Sequence, residues 1–538
     1  MQTAATRTLS VDLGGASTVV ESAVAELDAL HAVKRMWARD PTLWKPRPED
    51  DVELSNRLGW LTLPDDFLHK AAELRQFAAD CAKRGIRHAV VCGMGGSSLA
   101  PEVFRITFSG SARGLDVHVL DFTDPGAVAA VDAAIDPQHT LFVISSKSGG
   151  TIEVMSFLAH FWELSGGRGE QFCAITDPGT SLDRLSHERG FSNTFLNPTE
   201  IGGRYSALSY FGLVPAALIG LDLARLLEPA VRERAQCQHE RTQDNSGAWL
   251  GAFFGALARA GRDKLTILTS PRLGSFGLWV EQLIAESTGK EGKGIVPVVG
   301  EPIGEPDAYG ADRCFVVLRV DDDDNADLDR AVDKLRGAHP LVVRALPNID
   351  ALAAEMYCWE VATPMAGALL HINPFDQPNV QESKDNTARV LSSSESTPPH
   401  TVSPDDAASF LSQARAGDYV SLQAYLTPTP AIEAQLQRIR ARVRDRQKVA
   451  TTLGIGPRFL HSTGQLHKGG PPSGVFLQLT YEPTADVPIP GAAYSFGTLI
   501  AAQSLGDLQS LQSRGLRAAR LHLGRDVAAG LDRLLNAL

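Results

Sequence analysis

The stretch Leu141-Phe-Val-Ile-Ser-Ser-Lys-Ser-Gly-Gly-Thr151 decides the fold. It opens as an unbroken apolar strand, passes through a loop of hydroxyls, one lysine and two glycines, and enters a helical pattern over 152–164. A strand apolar on both faces belongs in a buried parallel sheet, and a short loop into a helix is the first half of a βαβ unit. The loop itself has chemistry. Successive backbone N–H groups at a helix N-terminus favour an anion, Ser and Thr hydroxyls add donors, and glycines allow close approach, so a phosphate fits there. It is not a nucleotide P-loop, because Lys147 precedes the glycines and GxxxxGK[ST] is absent from the chain. A Ser-rich turn that merely caps its helix is the plainer alternative.

Working outward, the same alternation recurs. Short apolar runs at 88–92, 117–120 and 172–176 each give way to a turn and a helical pattern. A second series begins at 264–269, continues through 315–320 and 341–344, and ends in a long helical stretch over 349–370. Both series open with a strand, a Gly/Ser loop and a helix, which predicts a duplicated α/β architecture with helices on both faces of parallel sheets. Residues 17–80 read as helices broken by prolines, an extension packed against a larger body. The Ser/Pro/Asp-rich segment 392–406 reads as a connecting loop. Beyond it a third α/β lobe is predicted, with strands at 419–426, 474–480 and 518–523 and helices at 431–453 and 496–514. In the first of those helices Ile432, Leu436, Ile439 and Val443 form one buried stripe, and its arginines read as a solvated face.

Composition narrows the function. At 538 residues about three domains are expected. The 51 Lys and Arg against 63 Asp and Glu give a net charge of −12, which offers no basic footprint for a nucleic acid. The six cysteines stand far apart, without a CxxC pair for zinc or redox work, and isolated thiols fit a reducing compartment. No signal-peptide core and no run of about 18 apolar residues is found, so the chain is expected to be soluble and cytoplasmic.

Five further segments carry polar groups suited to a small ligand. Gly93-Met-Gly-Gly-Ser-Ser98 follows a strand but fails the dinucleotide fingerprint at its third glycine, leaving a tight turn with or without a polar ligand. Gln282 and Glu286 share one helical face, and a glutamate beside Leu283 and Ile284 is either a desolvated base or an ordinary helix-end carboxylate. Gly202-Gly203-Arg204 presents a guanidinium suited to a phosphate or an oxyanion. The turn from His371 to Lys384 includes Gln377. Finally, His461, His467 and Lys468 share a Gly-rich loop, where either histidine could move protons; neither has the companions of a metal site.

Together, Gly93–Leu99, Ser146–Thr151, Gly202–Ser206, Gln282–Lys290 and Asn373–Lys384 resemble, in order, the motifs of the glucose-6-phosphate isomerases, which are built from sugar-isomerase (SIS) domains. The C-terminal third, around Ser-Thr-Gly-Gln-Leu-His467-Lys, looks more like the isomerase half of bifunctional transaldolase/glucose-6-phosphate isomerase proteins. The resemblance implies an α/β fold of two SIS-type parallel-sheet sandwich domains, at 85–245 and 246–392, with an N-terminal helical extension (1–84) and a C-terminal α/β lobe (393–538). It implies isomerisation of glucose 6-phosphate to fructose 6-phosphate, a step of glycolysis and gluconeogenesis, without metal or other cofactor. Ser146, Lys147, Ser148 and Thr151 would bind the phosphate, Gly96 and Ser97 would line the sugar, and Gln282 and Gln377 would contact substrate. Glu286 would be the base, Arg204 would stabilise the enediolate, and Lys384 would assist ring opening. The family's ring-opening histidine, expected soon after Gly-Glu-Pro, is missing from Gly300-Glu-Pro-Ile-Gly-Glu-Pro306, and His467 is its expected replacement. In the family that histidine comes from a neighbouring subunit, so either a monomer or a homodimer is expected here. Two alternatives stay open: an isomerase that also accepts mannose 6-phosphate, and a SIS module that only senses sugar phosphates.

Overall fold

A computed structural model describes residues 6–45, 51–111, 113–392 and 400–538, except for the side chains at 51, 52, 380, 381, 383 and 384. After an N-terminal strand, β1 (Arg7–Asp12), come β2 (His88–Gly93), β3 (Asp116–Leu120), β4 (Thr140–Ser145), β5 (Phe172–Thr176) and β6 (Asn193–Leu196). These last five form a parallel sheet in the order β3-β2-β4-β5-β6. The strands β7 (Lys264–Thr269), β8 (Val296–Val299), β9 (Arg313–Val320) and β10 (Leu341–Leu346) make a second sheet, ordered β1-β10-β9-β7-β8. The third contains β11 (Tyr419–Tyr425), β12 (Ala450–Ile455), β13 (Gly474–Thr480) and β14 (Arg517–His522), ordered β12-β11-β13-β14. Parallel α/β architecture is therefore present three times, with helices between the strands.

Several details depart from the sequence reading. The N-terminal segment is not helical throughout, since β1 pairs antiparallel with β10 along the edge of the second sheet. Its side chains are mostly exposed, so it lacks the strong apolar pattern of the central strands. The helix expected over 431–453 spans Pro430–Gln447, stopped by Lys448 in the left-handed conformation (φ 58°), and β12 follows. Within the segment read as a linker, Pro404–Leu411 is a helix capped by Ser403, whereas residues 393–399 lie outside the described residues.

The arginine-rich face of Pro430–Gln447 is not simply solvated. Ile432, Leu436, Ile439 and Val443 are buried as expected, but so are Arg440 and Arg444. Arg440 donates to the carbonyls of Val299 (3.0 Å), Gly300 (2.9 Å) and Thr451 (2.6 Å), and Arg444 reaches that of Pro302. Glu301 is buried between Arg313 and the N–H of Thr451. Thus the segment after Gly300 that lacks a histidine is the one on which the third lobe docks. Among the described residues no helix is long and apolar enough to cross a membrane.

Candidate active site

The carboxyl ends of β2 and β4 open onto a cleft of about 580 Å³, lined from both series and from the third lobe. A parallel sheet presents ligand loops at these ends. Gly96 and Ser97 lie on the turn after β2; Lys147, Ser148 and Thr151 lie on the loop after β4; Arg204, Gln282, Glu286 and Gln377 complete the polar wall. Close packing explains two glycines. Gly95 has φ +56°, and a Cβ there would stand 2.8 Å from the His461 carbonyl; one on Gly96 would stand 2.0 Å from the carbonyl of Gly203.

On the anion loop, Ser146 is buried behind the cleft and its hydroxyl lies 3.0 Å from that of Thr151. It shapes the loop from below. The Lys147 ammonium is ion-paired with Asp177 and donates to the carbonyl of Thr199 at 3.3 Å. Burial raises the Asp177 carboxyl, partly countered by Lys147. Asn56 and Arg57, from the N-terminal extension, border the same end. Their segment is held by Trp60, which stacks on Tyr205 with ring centroids 5.2 Å apart.

Glu286 projects from the helix Phe276–Thr288, whose buried residues include Leu283 and Ile284. Its Oε2 accepts from Gln282 Nε2 at 3.0 Å and lies 3.5 Å from Arg204 Nε. The Arg204 guanidinium is buried and donates to the carbonyls of Phe375 (3.1 Å) and Asp376 (3.0 Å) and to the Gln377 side chain; its Nη1 has no hydrogen-bond partner. Lys290 holds the same loop through the carbonyls of Asn373 (2.7 Å) and Asp376 (2.6 Å), and burial lowers its ammonium to about 8.

The histidine on the cleft is His461, not His467. His467 is buried among Tyr419, Phe459 and Phe476, 3.3 Å from the Gln423 amide, and burial pushes its pKa down to about 3. The expected assignment of His467 is corrected accordingly: the short helix Gly464–Gly469 turns it inward. His461 ends a 3-10 turn, with Nε2 2.9 Å from Glu153 Oε1. Gln503 also donates to that oxygen, at 2.7 Å. Arg458 anchors the turn to the first sheet through two bonds to buried Asp121, at 2.8 and 2.7 Å.

Lys384 falls within the helix Val380–Ser392, but its side chain lies outside the described residues. His371, one of the sequence candidates, is an exposed left-handed C-cap. Sequence reading missed Glu153, Asp177, Arg57 and Gln503. Glu153 alone left a faint signal, an acid two residues after the anion loop, where a helix start also favours one.

The cleft residues fall largely within 75–296, the segment that matches the phosphoglucose isomerase family. A glucose-6-phosphate isomerase of Prochlorococcus marinus is 25% identical over 417 residues, covering 68% of this chain and 77% of the relative. That of Staphylococcus saprophyticus is 27% identical over 387 residues, covering 63% and 87%. Among solved structures, a hypothetical protein from Thermus thermophilus aligns with TM-score 0.59 at 24% identity, over 72% of this chain and all of the other. A glucose-6-phosphate isomerase from Chlamydia trachomatis aligns with TM-score 0.51 at 20% identity, over 67% and 78%. The two structural likenesses bear on the fold alone.

Proposed function

We propose that this chain, whose residues 75–296 match the phosphoglucose isomerase family, interconverts D-glucose 6-phosphate and D-fructose 6-phosphate. The observation that carries the reading is the convergence of an anion loop, a Glu286–Arg204 pair and a His461–Glu153 pair on one cleft.

Aldose–ketose isomerisation needs ring opening and then a proton moved between C2 and C1. The phosphate sits on the loop of Lys147, Ser148 and Thr151, supplying remote binding energy for positioning. In ring opening His461 gives its proton to the ring oxygen as the C1–O5 bond breaks, while the C1 hydroxyl passes its own proton to solvent water and becomes the aldehyde. Glu153 and Gln503 hold the imidazole in place. In the open chain Glu286 takes the C2 proton, the electron pair moves to the carbonyl oxygen, and an enediolate forms. The Arg204 guanidinium, whose Nε lies 3.5 Å from Glu286, stabilises that charge. Glu286 then returns the proton to C1 as the C2 hydroxyl passes its own proton to the O1 oxyanion and becomes the ketone. No electrons leave the substrate.

The six cysteines are buried and unpaired, in keeping with a cytoplasmic setting.

The decisive experiment is Glu286→Gln, assayed by coupling fructose 6-phosphate formation to a dehydrogenase. The variant is expected to fold, to bind substrate, and to turn over about a thousandfold more slowly, as loss of a positioned base requires. Near-parental turnover would reject the assignment.

A further inference from the structure

Far from the cleft, at the amino ends of the first sheet, His88 begins β2 while Asp116 and His118 lie on β3. In a strand, residues i and i+2 share a face, which puts Asp116 and His118 on one side of β3. The register pairs His88 with Asp116 directly. Three side chains of metal-ligating type thus project from two neighbouring strands onto the same face.

Their geometry fits a bound ion better than a set of mutual hydrogen bonds. Asp116 Oδ2 lies 3.4 Å from His88 Nδ1 and 3.3 Å from His118 Nε2. Tetrahedral zinc has ligand bonds of about 2.0–2.1 Å, which set the edge between neighbouring ligand atoms at about 3.3–3.4 Å. All three ligand atoms fall within 4.8 Å of one another. Both ring nitrogens are sealed from water yet make no hydrogen bond, because neither is aligned to donate to the carboxylate despite the short separation. Two buried nitrogens that make no hydrogen bond, each within ion-pair distance of one carboxylate oxygen, form a donor set shaped for a cation. The Asp116 side chain is 64% exposed, which gives an ion an entry path and a water in the fourth position.

We propose that His88, Asp116 and His118 bind one Zn2+ through Nδ1, Oδ2 and Nε2. Two imidazoles and a carboxylate suit zinc better than the hard cations, which prefer all-oxygen sets. The ion ties the edge strand β3 to β2. It stands at the opposite end of the strands from the loop Gly93–Ser98, so its role is to stiffen the sheet and not to take part in isomerisation.

The full chain, stripped with chelator, is titrated with ZnCl2 by calorimetry, and a crystal grown with Zn2+ is measured at the zinc absorption edge. One equivalent is expected to bind, with an anomalous peak about 2.0–2.2 Å from the three named atoms and a raised melting temperature. His118→Gln and Asp116→Asn, both at partly exposed positions outside the apolar core, are each expected to weaken that binding about tenfold or more while isomerase activity stays within about twofold. Absence of stoichiometric binding, a peak elsewhere, or equal affinity in both variants and the parent would overturn the proposal.

Discussion

His461 Nε2 and Glu153 Oε1 lie 2.9 Å apart although 308 residues separate them in the chain. One comes from the third lobe and the other from the first turn of the helix behind the anion loop. If His461 opens the ring, His461→Ala should lower turnover of cyclic glucose 6-phosphate by about a hundredfold or more, with a much smaller loss on an open-chain analogue. His467→Gln should leave turnover within about threefold, because a histidine held near pKa 3 by burial is neutral at working pH and faces the lobe interior. Steady-state kinetics on both substrates would decide; equal losses on the two would count against ring opening.

Gln503 touches the same Glu153 oxygen from the helix Phe496–Ser513. It positions the pair without lining the cleft. Gln503→Leu should therefore reduce kcat by roughly tenfold while KM changes little, and Gln503→Glu should be worse, since it sets a second carboxylate beside Glu153. A rise in KM with kcat unchanged would argue that Gln503 instead shapes the binding surface.

At the other end of the cleft, Asp177 occupies the Lys147 ammonium that the phosphate is to meet. Lys147→Ala should raise KM about tenfold or more, as loss of a charged hydrogen bond predicts. Asp177→Asn should do the reverse, lowering KM severalfold, because the lysine no longer has to exchange one anion for another. The two effects can be read from KM at low and high salt. An unchanged KM in Asp177→Asn would mean that the pair persists beside bound phosphate.

What the sequence made legible follows the local character of each signal. The anion loop, Gly96, Arg204, Gln282 and Glu286 sit on short strand–loop–helix segments whose pattern is written over only a few residues, and all of them reach one cleft. The histidine was not legible in the same way. His461 and His467 share one loop, and what separates them is tertiary: Arg458 pulls the turn onto Asp121, whereas Phe459, Phe476 and Tyr419 enclose His467. Some edge strands were also lost. β1 is largely exposed, and the short β6 and β8 span four residues each, too few to display a period. The basic helix misled for a related reason, because Arg440 and Arg444 look solvated until the carbonyls of Val299, Gly300 and Pro302 are brought against them.

The Arg458–Asp121 pair makes that docking testable. Asp121 is fully buried, and removing its partner strands a charge. Arg458→Ala should destabilise the protein by about 3–5 kcal/mol and also reduce turnover, as the His461 turn loosens. Asp121→Asn added to Arg458→Ala should recover part of the stability but not the activity. Chemical denaturation together with kinetics on the single and double variants separates the two roles; recovery of both together would mean that only stability was at stake.

Glu360 lies in the fully buried helix Leu352–Leu370, with neither carboxylate oxygen hydrogen-bonded. Burial alone raises its carboxyl well above the ordinary range. The sign of the linkage follows. Below about pH 4.3 the folded and unfolded chains both hold this proton and the group is neutral to stability; above that the unfolded chain releases it while the folded chain keeps it. Stability therefore falls as pH rises, by up to about 1.4 kcal/mol per unit, until the folded carboxyl itself ionises. Glu360→Met keeps similar volume and removes the titrating group. The variant should melt higher than the parent at pH values of about 8, and its advantage should shrink towards about pH 5, as read from apparent Tm in matched buffers. An advantage independent of pH would mean that improved packing, not the retained proton, accounts for the gain.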